Sequence, residues 1–208
     1  VGGGAVWADA ATIVPWTVYQ HYGDLPLLRE SYPMMRDYAE WLITEDEKAG
    51  GTHLVFPYHT YGDWLAQDGM SPQSVWGGTR KEFIQGVYYY YSLHLTALAA
   101  RELDEEADAE KYAGLAEEVR NALLDEYVTA GGNLSEDTQT AYVLALKYGV
   151  YRDKEKLIAR FRERVCKDFY KLTSGFTGAP LLLPVLMDNG MADIAYRMLL
   201  SEDFPGWL

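Results

Sequence analysis

The sequence of 208 residues predicts an all-α fold, a closed two-layer helical barrel of the (α/α)6 toroid type, of which the chain supplies about four of the six helical hairpins. Apolar residues recur three or four positions apart along most of the chain, which is the period of an α-helix. Segments that are apolar on every side alternate with segments that carry one apolar stripe, as expected when one ring of helices lies inside another. The segments differ in length and share no repeated residue signature, so a solenoid is disfavoured.

The first two hairpins are predicted from residues 9–22 and 25–47, and from residues 82–100 and 108–127. In each pair the first segment is apolar on nearly every side, which predicts an inner helix. The second segment places its apolar stripe between charged residues, which predicts an outer helix with one face in solvent.

The other two hairpins are predicted from residues 140–148 and 154–172, and from the shorter segments 179–189 and 191–202. Several of the helix boundaries are marked by residues that commonly begin or end helices. These residues are Asp24, Asp137 and Asp153 as N-caps, and Gly149 and Gly190 as C-terminal stops.

Composition excludes several classes of function. The chain has 31 Asp and Glu against 18 Lys and Arg, a formal net charge of −13, and no basic cluster that reverses this sign locally. Such a chain repels phosphate backbones and anionic lipids, so neither nucleic acid nor a membrane is expected as a partner. The single cysteine, Cys166, excludes a disulfide scaffold, and its apolar neighbours predict a packed side chain. No signal peptide is expected from the first residues, and the sequence predicts no compartment.

Neither a metal nor another cofactor is expected. The four histidines, at positions 21, 53, 59 and 94, have no metal-ligand spacing. His94 falls in an inner helix and is predicted to pack there, whereas His59 falls in a long link and is a candidate ligand contact. The four consecutive tyrosines at 88–91 cannot share one helix face, so core packing is predicted for them.

The links between helices predict where a binding site lies. Links after inner helices are short, whereas the links after outer helices, at 49–80, 129–137 and 173–178, are longer and richer in glycine, aromatic residues and aspartate. In a two-layer barrel all of these long links emerge at the same rim. Long loops gathered at one end of a rigid scaffold are a common place for a binding site.

Segments predicted at this rim combine aromatic rings with carboxylates, as a sugar site requires. A sugar packs its C–H face on Trp or Tyr, and its hydroxyls hydrogen-bond to carboxylates. The candidate substrate-binding residues are Trp7, Asp9, His59, Tyr61, Asp63 and Trp64. The alternative left open is that the two tryptophans belong to the core and the two aspartates cap the helices that follow them.

Five motifs, in order, resemble the barrel segment of bacterial α-L-rhamnosidases. The resemblance covers essentially the whole chain, although Gly206 stands where the family often has Ser. The motifs are Trp7-Ala8-Asp9-Ala10 followed by Pro15-Trp16, Tyr19 and Tyr22-Gly23-Asp24; Tyr61-Gly62-Asp63-Trp64-Leu65; Thr138-Gln139-Thr140; Gly175-Phe176-Thr177-Gly178; and Phe204-Pro205-Gly206-Trp207.

This resemblance implies a six-hairpin glycosidase that hydrolyses terminal α-L-rhamnosides with inversion of configuration. Inversion requires a general acid and a general base, whose carboxyl groups lie about 6.5–9.5 Å apart. The family's two catalytic Glu motifs are absent from this sequence, so the general acid is expected upstream of Val1 and the general base downstream of Leu208. Trp7 and Trp64 would then contact the sugar, and Asp9 and Asp63 would be polar neighbours of the rhamnose pocket without catalytic roles.

The chain is therefore expected to be an internal fragment that is inactive alone. Its expected partners are a small L-rhamnose-containing glycoside and the remaining hairpins and accessory domains of a parent chain. Two alternatives stay open. One is a different six-hairpin glycosidase, acting on α-glucosides or unsaturated uronides, with Asp9 and Asp63 as the catalytic pair. The other is a non-catalytic helical binding scaffold.

Overall fold

The computed structural model describes residues 4–54, 56–69, 71 and 74–208. Within these ranges it contains eight α-helices and no β-strand, so the all-α prediction is confirmed. None of these helices has the length and apolarity needed to cross a bilayer. The helices are α1 (Ala10–Tyr22), α2 (Leu25–Lys48), α3 (Lys81–Glu102), α4 (Glu106–Tyr127), α5 (Gln139–Tyr148), α6 (Lys154–Lys167), α7 (Ala179–Asp188) and α8 (Ala192–Leu199).

The chain forms two compact units, and α3 and α4 each contribute residues to both. The first unit contains the residues up to Thr60 together with Gln85–Leu123, and the second contains Tyr61–Ile84 and Leu124–Leu208. The assignment of all 208 residues to one domain stays a prediction.

In the first unit α1 packs along α2, and both contact the second half of α3. Trp16 from α1 is buried in this cluster, with Leu28 and Met35 from α2 and Leu95 from α3. The predicted core role of the tyrosine run is confirmed, because Tyr88 and Tyr89 are buried and Tyr90 and Tyr91 are half-buried. His94 is half-buried in the same helix, and this burial lowers the pKa of its imidazole.

In the second unit α5 packs against both α6 and α7, and α7 packs against α8. Helix α5 is buried at every position from Gln139 to Leu146, whereas α6 buries one stripe formed by Leu157, Phe161 and Val165. The predicted contrast between an inner and an outer helix is confirmed for this pair. It follows from the 3.6-residue period, which places every third or fourth residue of α6 on one face.

Two of the three predicted N-caps are confirmed. Asp24 and Asp153 each accept a hydrogen bond, 3.0 Å long, from the backbone N–H three residues later. The prediction for Asp137 is wrong, because Thr138 caps α5 by accepting from the N–H of Ala141 at 3.2 Å. The Asp137 carboxylate instead lies 3.3 Å from the guanidinium of Arg164.

The predicted C-terminal stops lie in the left-handed conformation, with φ of 77° at Gly149 and 71° at Gly190. Helix α6, by contrast, ends at Lys167 and not at the predicted residue 172. Phe169 and Tyr170 have φ of 55° and 60°, which a right-handed helix cannot include. Phe169 is consequently 81% exposed instead of extending the apolar stripe.

Three burial predictions are wrong. Helix α7, predicted as a buried helix, buries Leu182, Val185 and Leu186 but leaves Met187 exposed. Helix α1 is not buried on every side, since its packing against α2 and α3 covers one face and leaves Val14 and Tyr22 exposed. Cys166 is exposed and not packed, because it lies in the last turn of α6 on the face opposite the buried stripe. Its thiol donates to the Tyr170 hydroxyl at 3.2 Å.

Candidate functional site

Asp63 joins two loops of the second unit. The side chain is 2% exposed, and one of its oxygens accepts from the N–H of Gly175 at 3.0 Å and from the Thr140 hydroxyl. The other oxygen accepts from the N–H of Thr177 at 3.1 Å. The hydroxyl of Thr177 donates in return to the Gly62 carbonyl at 2.8 Å. Asp63 therefore fixes the loop at 61–66 against the segment that leads into α7.

The Asp63 carboxylate is enclosed and fully hydrogen-bonded. Burial raises its pKa, while the hydrogen bonds from Gly175, Thr140 and Thr177 oppose that rise by stabilising the charged form. The sequence is compatible with an Asp63 that contacts sugar and with one that caps the next helix. In the structure it accepts from backbone amides that precede α7, more than a hundred residues along the chain.

Beside Asp63, the second unit presents a group of rings that we call the aromatic surface, formed by Tyr61, Trp64, Trp76 and Phe176. The Trp64 and Phe176 rings are stacked, with centroids 5.3 Å apart and an interplanar angle of 24°. Tyr61 lies 6.0 Å from Trp64 and stacks on Trp76 at 6.2 Å. Phe176 is 56% exposed, and Tyr61 and Trp76 are also exposed. Rings that stack on one another while facing solvent form a ready platform for a sugar face.

Backbone contacts hold the aromatic surface in place. The N–H of Leu65 donates to the Val75 carbonyl at 2.7 Å, and the N–H of Phe176 donates to the Trp64 carbonyl at 2.9 Å. At Gly175 the two loops touch so closely that a Cβ atom would overlap the Trp64 carbonyl oxygen and lie 2.6 Å from the Ala66 nitrogen. Glycine is therefore required at this position.

A groove of about 280 Å³ borders the aromatic surface. The residues that line it are all uncharged: Leu65, Ser174, Gly175, Phe176, Ala179 and Pro180.

In the first unit Asp9 precedes α1 and is completely buried. Its Oδ1 accepts from the Ser92 hydroxyl at 2.7 Å and from the Tyr38 hydroxyl at 3.2 Å. Its Oδ2 has no hydrogen-bond partner among the described residues. Burial raises the pKa of Asp9 to about 7, with the hydrogen bonds from Ser92 and Tyr38 acting in the opposite direction.

Asp9 does not cap α1 through its side chain, as the alternative interpretation required. Its carboxyl group instead links α1 to the helices packed against it, since Tyr38 lies on α2 and Ser92 on α3. Thr12 extends the network, because its hydroxyl lies 2.9 Å from that of Ser92. The Asp9 carboxyl group is therefore buried, and its hydrogen bonds link α1 to α2 and α3.

The other candidates of the first unit lie nearer to solvent. Trp7 is 43% exposed, so it is not a core residue, and His59 is exposed. The backbone of His59 lies directly against Gly4, where a Cβ atom would overlap the His59 carbonyl.

The structure thus brings Tyr61, Asp63 and Trp64 together in the second unit and places Trp7, Asp9 and His59 in the first. The gathering of all six at one rim stays a prediction. Within the described ranges, no three His, Cys, Asp or Glu side chains are grouped so that they could hold a metal ion.

Sequence reasoning missed two members of the aromatic surface, Trp76 and Phe176. Phe176 lies in the motif Gly175-Phe176-Thr177-Gly178 but is not among the candidate residues, and Trp76 lies in the longest link with no carboxylate next to it in sequence. The signal available for Trp76 was its position in a long link directly before a Gly-Gly pair, Trp76-Gly77-Gly78.

Comparison with known proteins places this arrangement in a family. A model of the bacterial alpha-L-rhamnosidase 6 hairpin glycosidase domain matches residues 1–208. An alpha-L-rhamnosidase of Streptomyces avermitilis is 37% identical over 211 residues, which cover 99% of this chain and 19% of that protein. The crystal structure of an S. avermitilis alpha-L-rhamnosidase complexed with L-rhamnose superposes with a TM-score of 0.82 at 34% identity, covering 96% of this chain and 18% of that one.

A further solved structure, the alpha-L-rhamnosidase from Dictyoglumus thermophilum, has a TM-score of 0.86 at 23% identity and covers 98% of this chain and 22% of that chain, which supports the fold alone. The chain spans about a fifth of the length of the relatives that it matches. The family match extends over every residue of the sequence. The chain belongs to the bacterial α-L-rhamnosidase six-hairpin glycosidase family.

Proposed function

We propose that this chain is part of an inverting glycoside hydrolase that removes terminal α-L-rhamnose from rhamnosides, and that it contributes sugar-binding surface to that enzyme. The observation that carries the proposal is the aromatic surface of the second unit, whose stacked and exposed rings are anchored by a buried carboxylate. The relative of known structure that was crystallised with L-rhamnose supports the same substrate class.

The rings of the aromatic surface suit a neutral, partly apolar sugar. L-Rhamnose is a 6-deoxyhexose, so one edge of its ring carries a methyl group and packs well on an aromatic face. In this proposal Trp64 and Tyr61 contact the sugar directly. Asp63 acts behind them as a positioning residue, and Asp9 has the same kind of role for the segment that carries Trp7.

Neither buried aspartate is arranged to act as a general acid or base. An inverting pair must deliver one proton to the leaving oxygen and take another from a water molecule. Both oxygens of Asp63 already accept hydrogen bonds from the protein, and Asp9 has no exposed atom with which to reach a substrate. These contacts favour a general acid and a general base located outside the chain, and disfavour the alternative in which Asp9 and Asp63 form the catalytic pair.

The first experiment measures binding of L-rhamnose to the 208-residue chain by saturation-transfer NMR, with D-glucose as the comparison sugar. We expect L-rhamnose to bind more tightly than D-glucose. Replacing Trp64 by alanine should weaken L-rhamnose binding at least tenfold, because the sugar loses its stacking partner. The matched control is Trp41→Ala, since Trp41 belongs to the first unit, where its ring stacks on Tyr38, and is not a member of the aromatic surface.

Equal binding of the two sugars, or unchanged L-rhamnose binding by Trp64→Ala, would contradict the proposal and favour a non-catalytic scaffold. The catalytic assignment is tested separately with 4-nitrophenyl α-L-rhamnoside. We expect the chain alone to release no 4-nitrophenol. Release that disappears on replacing Asp9 or Asp63 by asparagine would show that the catalytic pair lies within this chain.

A further inference from the structure

We propose that Thr138-Gln139-Thr140, at the start of α5, is the positioning motif of the aromatic surface. Each of its three residues holds one of the three segments that carry the rings. This inference rests on the proposed function, because positioning the rings serves binding only if the aromatic surface binds sugar. It adds three residues that never touch the sugar and act through the rings.

The place of the motif in α5 lets it reach several segments at once. Thr138 is the N-cap of the helix, and Gln139 is its first residue. Successive side chains of an α-helix point about 100° apart, so three neighbouring residues can contact three different segments. Gln139 and Thr140 are completely buried, and α5 stays buried as far as Leu146. The motif therefore belongs to an element that is held from all sides.

Thr140 holds the loop that carries Tyr61 and Trp64. Its hydroxyl donates to the carboxylate of Asp63, which lies between these two rings in the sequence. Thr140 also lies against the start of α7, since a Cβ atom at Gly178 would overlap the Thr140 hydroxyl. The hydroxyl thus sets how closely the loop and the start of α7 approach α5.

Gln139 holds the segment that leads to Phe176. Its Nε2 donates to the Lys171 carbonyl and to the Asp168 carboxylate, both at 2.8 Å, and its Oε1 accepts from the N–H of Thr173 at 3.2 Å. Only an amide supplies two donors and an acceptor in this way, so neither glutamate nor an apolar residue can replace it. A buried polar group with all these partners favours a single path of the chain.

Thr138 holds the segment that carries Trp76. Its hydroxyl lies 2.6 Å from that of Thr79, a buried residue three positions after Trp76. The same oxygen accepts from the N–H of Ala141 at 3.2 Å, so one hydroxyl both caps α5 and contacts Thr79. Capping requires only this oxygen. The contact with Thr79 can therefore be removed from the Thr79 side while the cap remains.

The rings of the aromatic surface come from segments that are distant in sequence, so their spacing depends on contacts outside those segments. The Trp64 and Phe176 centroids are 5.3 Å apart, and those of Tyr61 and Trp76 are 6.2 Å apart. Rings that are already in place bind a sugar without the entropic cost of ordering them. Losing one contact with the motif should weaken binding although every ring is still present.

The test measures L-rhamnose affinity by titration calorimetry in three variants that each lose one contact, Thr79→Val, Gln139→Met and Thr140→Val. We expect each to bind about fivefold more weakly, the factor that corresponds to one net hydrogen bond. Thr79→Ser and Thr140→Ser keep the hydroxyl and should bind as the parent chain does. The matched control is Thr96→Val, which removes a buried hydroxyl from α3 in the first unit and should leave the affinity unchanged.

A spectroscopic measurement separates positioning from a general loss of stability. The six tryptophans are replaced by 5-fluorotryptophan, and their fluorine NMR resonances are assigned with single Trp→Phe variants. We expect Thr79→Val to shift the Trp76 resonance, and Gln139→Met and Thr140→Val to shift that of Trp64. The Trp16 resonance, which reports on the core of the first unit, should stay in place.

The outcomes separate this inference from the proposed function. If the parent chain binds no L-rhamnose, the proposed function fails and the role of the motif fails with it. If the parent binds but the three variants retain its affinity, or leave the Trp64 and Trp76 resonances in place, the inference is wrong while the proposed function stands. Equal losses in the valine and serine variants also overturn it. Thr79→Val leaves α5 and its cap intact, so it decides the question if the other two variants do not fold.

Discussion

Replacing Asp9 by asparagine should stabilise the protein, and more so as the pH rises. Burial raises the pKa of Asp9 from an ordinary value of 3.8 to about 7 in the folded state. Each pKa unit corresponds to about 1.4 kcal/mol, so ionised Asp9 reduces the free energy of unfolding by about 4 kcal/mol relative to the protonated form. Asparagine has the same shape and no charge to desolvate.

The hydrogen bonds suit this substitution. The side-chain oxygen of asparagine can accept from Ser92 and Tyr38 as Oδ1 of Asp9 does. The amide nitrogen then takes the place of Oδ2, which has no partner among the described residues. The protonated carboxyl group carries an unpartnered O–H at the same place, so asparagine and protonated aspartate should be nearly equal in stability.

The sign of the pH dependence follows from proton binding. Between about pH 4 and pH 7 the folded state holds a proton on Asp9 that the unfolded state has lost, so stability falls as the pH rises through this window. Below about pH 4 Asp9 is protonated in both the folded and the unfolded state. Above about pH 7 it is ionised in both, and the full cost of burying its charge reduces stability. Asp9→Asn should therefore equal the parent protein at pH 4 and exceed it by about 2–4 kcal/mol at pH 8.

Urea unfolding at pH 4, 6 and 8 measures this difference. The control is Leu200→Asn, a change at an exposed and uncharged side chain, which should alter the stability equally at the three pH values. A loss of stability in Asp9→Asn at pH 8, or a gap between the two proteins that is the same at pH 4 and pH 8, would refute the reasoning.

Three further substitutions test the second unit by urea unfolding at pH 7. Asp63→Asn should lower the free energy of unfolding by about 2–4 kcal/mol, because an amide N–H would face the N–H of Gly175 or Thr177. This is the reverse of the effect expected for Asp9→Asn, and an increase in stability would contradict it. Gly175→Ala should lower the free energy of unfolding by about 1–3 kcal/mol, because its Cβ atom would overlap the Trp64 carbonyl. The control is Gly114→Ala, which has open space around it and should leave stability unchanged or raise it. Thr138→Ala should lower the free energy of unfolding by about 1 kcal/mol, because it removes the N-cap of α5. An unchanged midpoint of urea unfolding would show that Thr138 is not an effective cap.

The sequence predicted the helices well because their signals are local. All eight helices lie within a few residues of the predicted segments, apart from the end of α6. The early stop at Lys167 depends on the left-handed conformation of two residues with large side chains, Phe169 and Tyr170. Residue type does not predict such a turn here, because the left-handed position after a helix is usually occupied by glycine or asparagine.

Burial was harder to predict than helical structure, because it depends on which other elements cover a face. The residues of α1 are apolar around the whole helix, yet Val14 and Tyr22 are exposed. The assignment of Asp137 as a cap failed for a related reason. Thr138 can cap α5 equally well, and Arg164, which is distant in sequence, pairs with the Asp137 carboxylate.

The candidate site shows the same division between local and distant information. The motif around Trp64 marked Tyr61, Asp63 and Trp64 correctly as neighbours, because they are adjacent in sequence. Phe176 stacks on Trp64 only because Asp63 binds the amides of Gly175 and Thr177 from another loop. A pattern within one segment contains no information about that pairing.

Asp9 and Asp63 occur in similar settings in the sequence, each near a tryptophan, and burial raises the pKa of both, yet their oxygens differ in hydrogen bonding. Asp63 receives hydrogen bonds at both oxygens, so its charge is compensated by dipoles directed at it. Asp9 receives them at one oxygen only, and its charge is left largely uncompensated. A carboxylate held by backbone amides can anchor a loop at any pH at which it stays ionised. A carboxyl group that titrates near neutrality is instead stabilised by its proton, so the first unit should become more stable on mild acidification through Asp9.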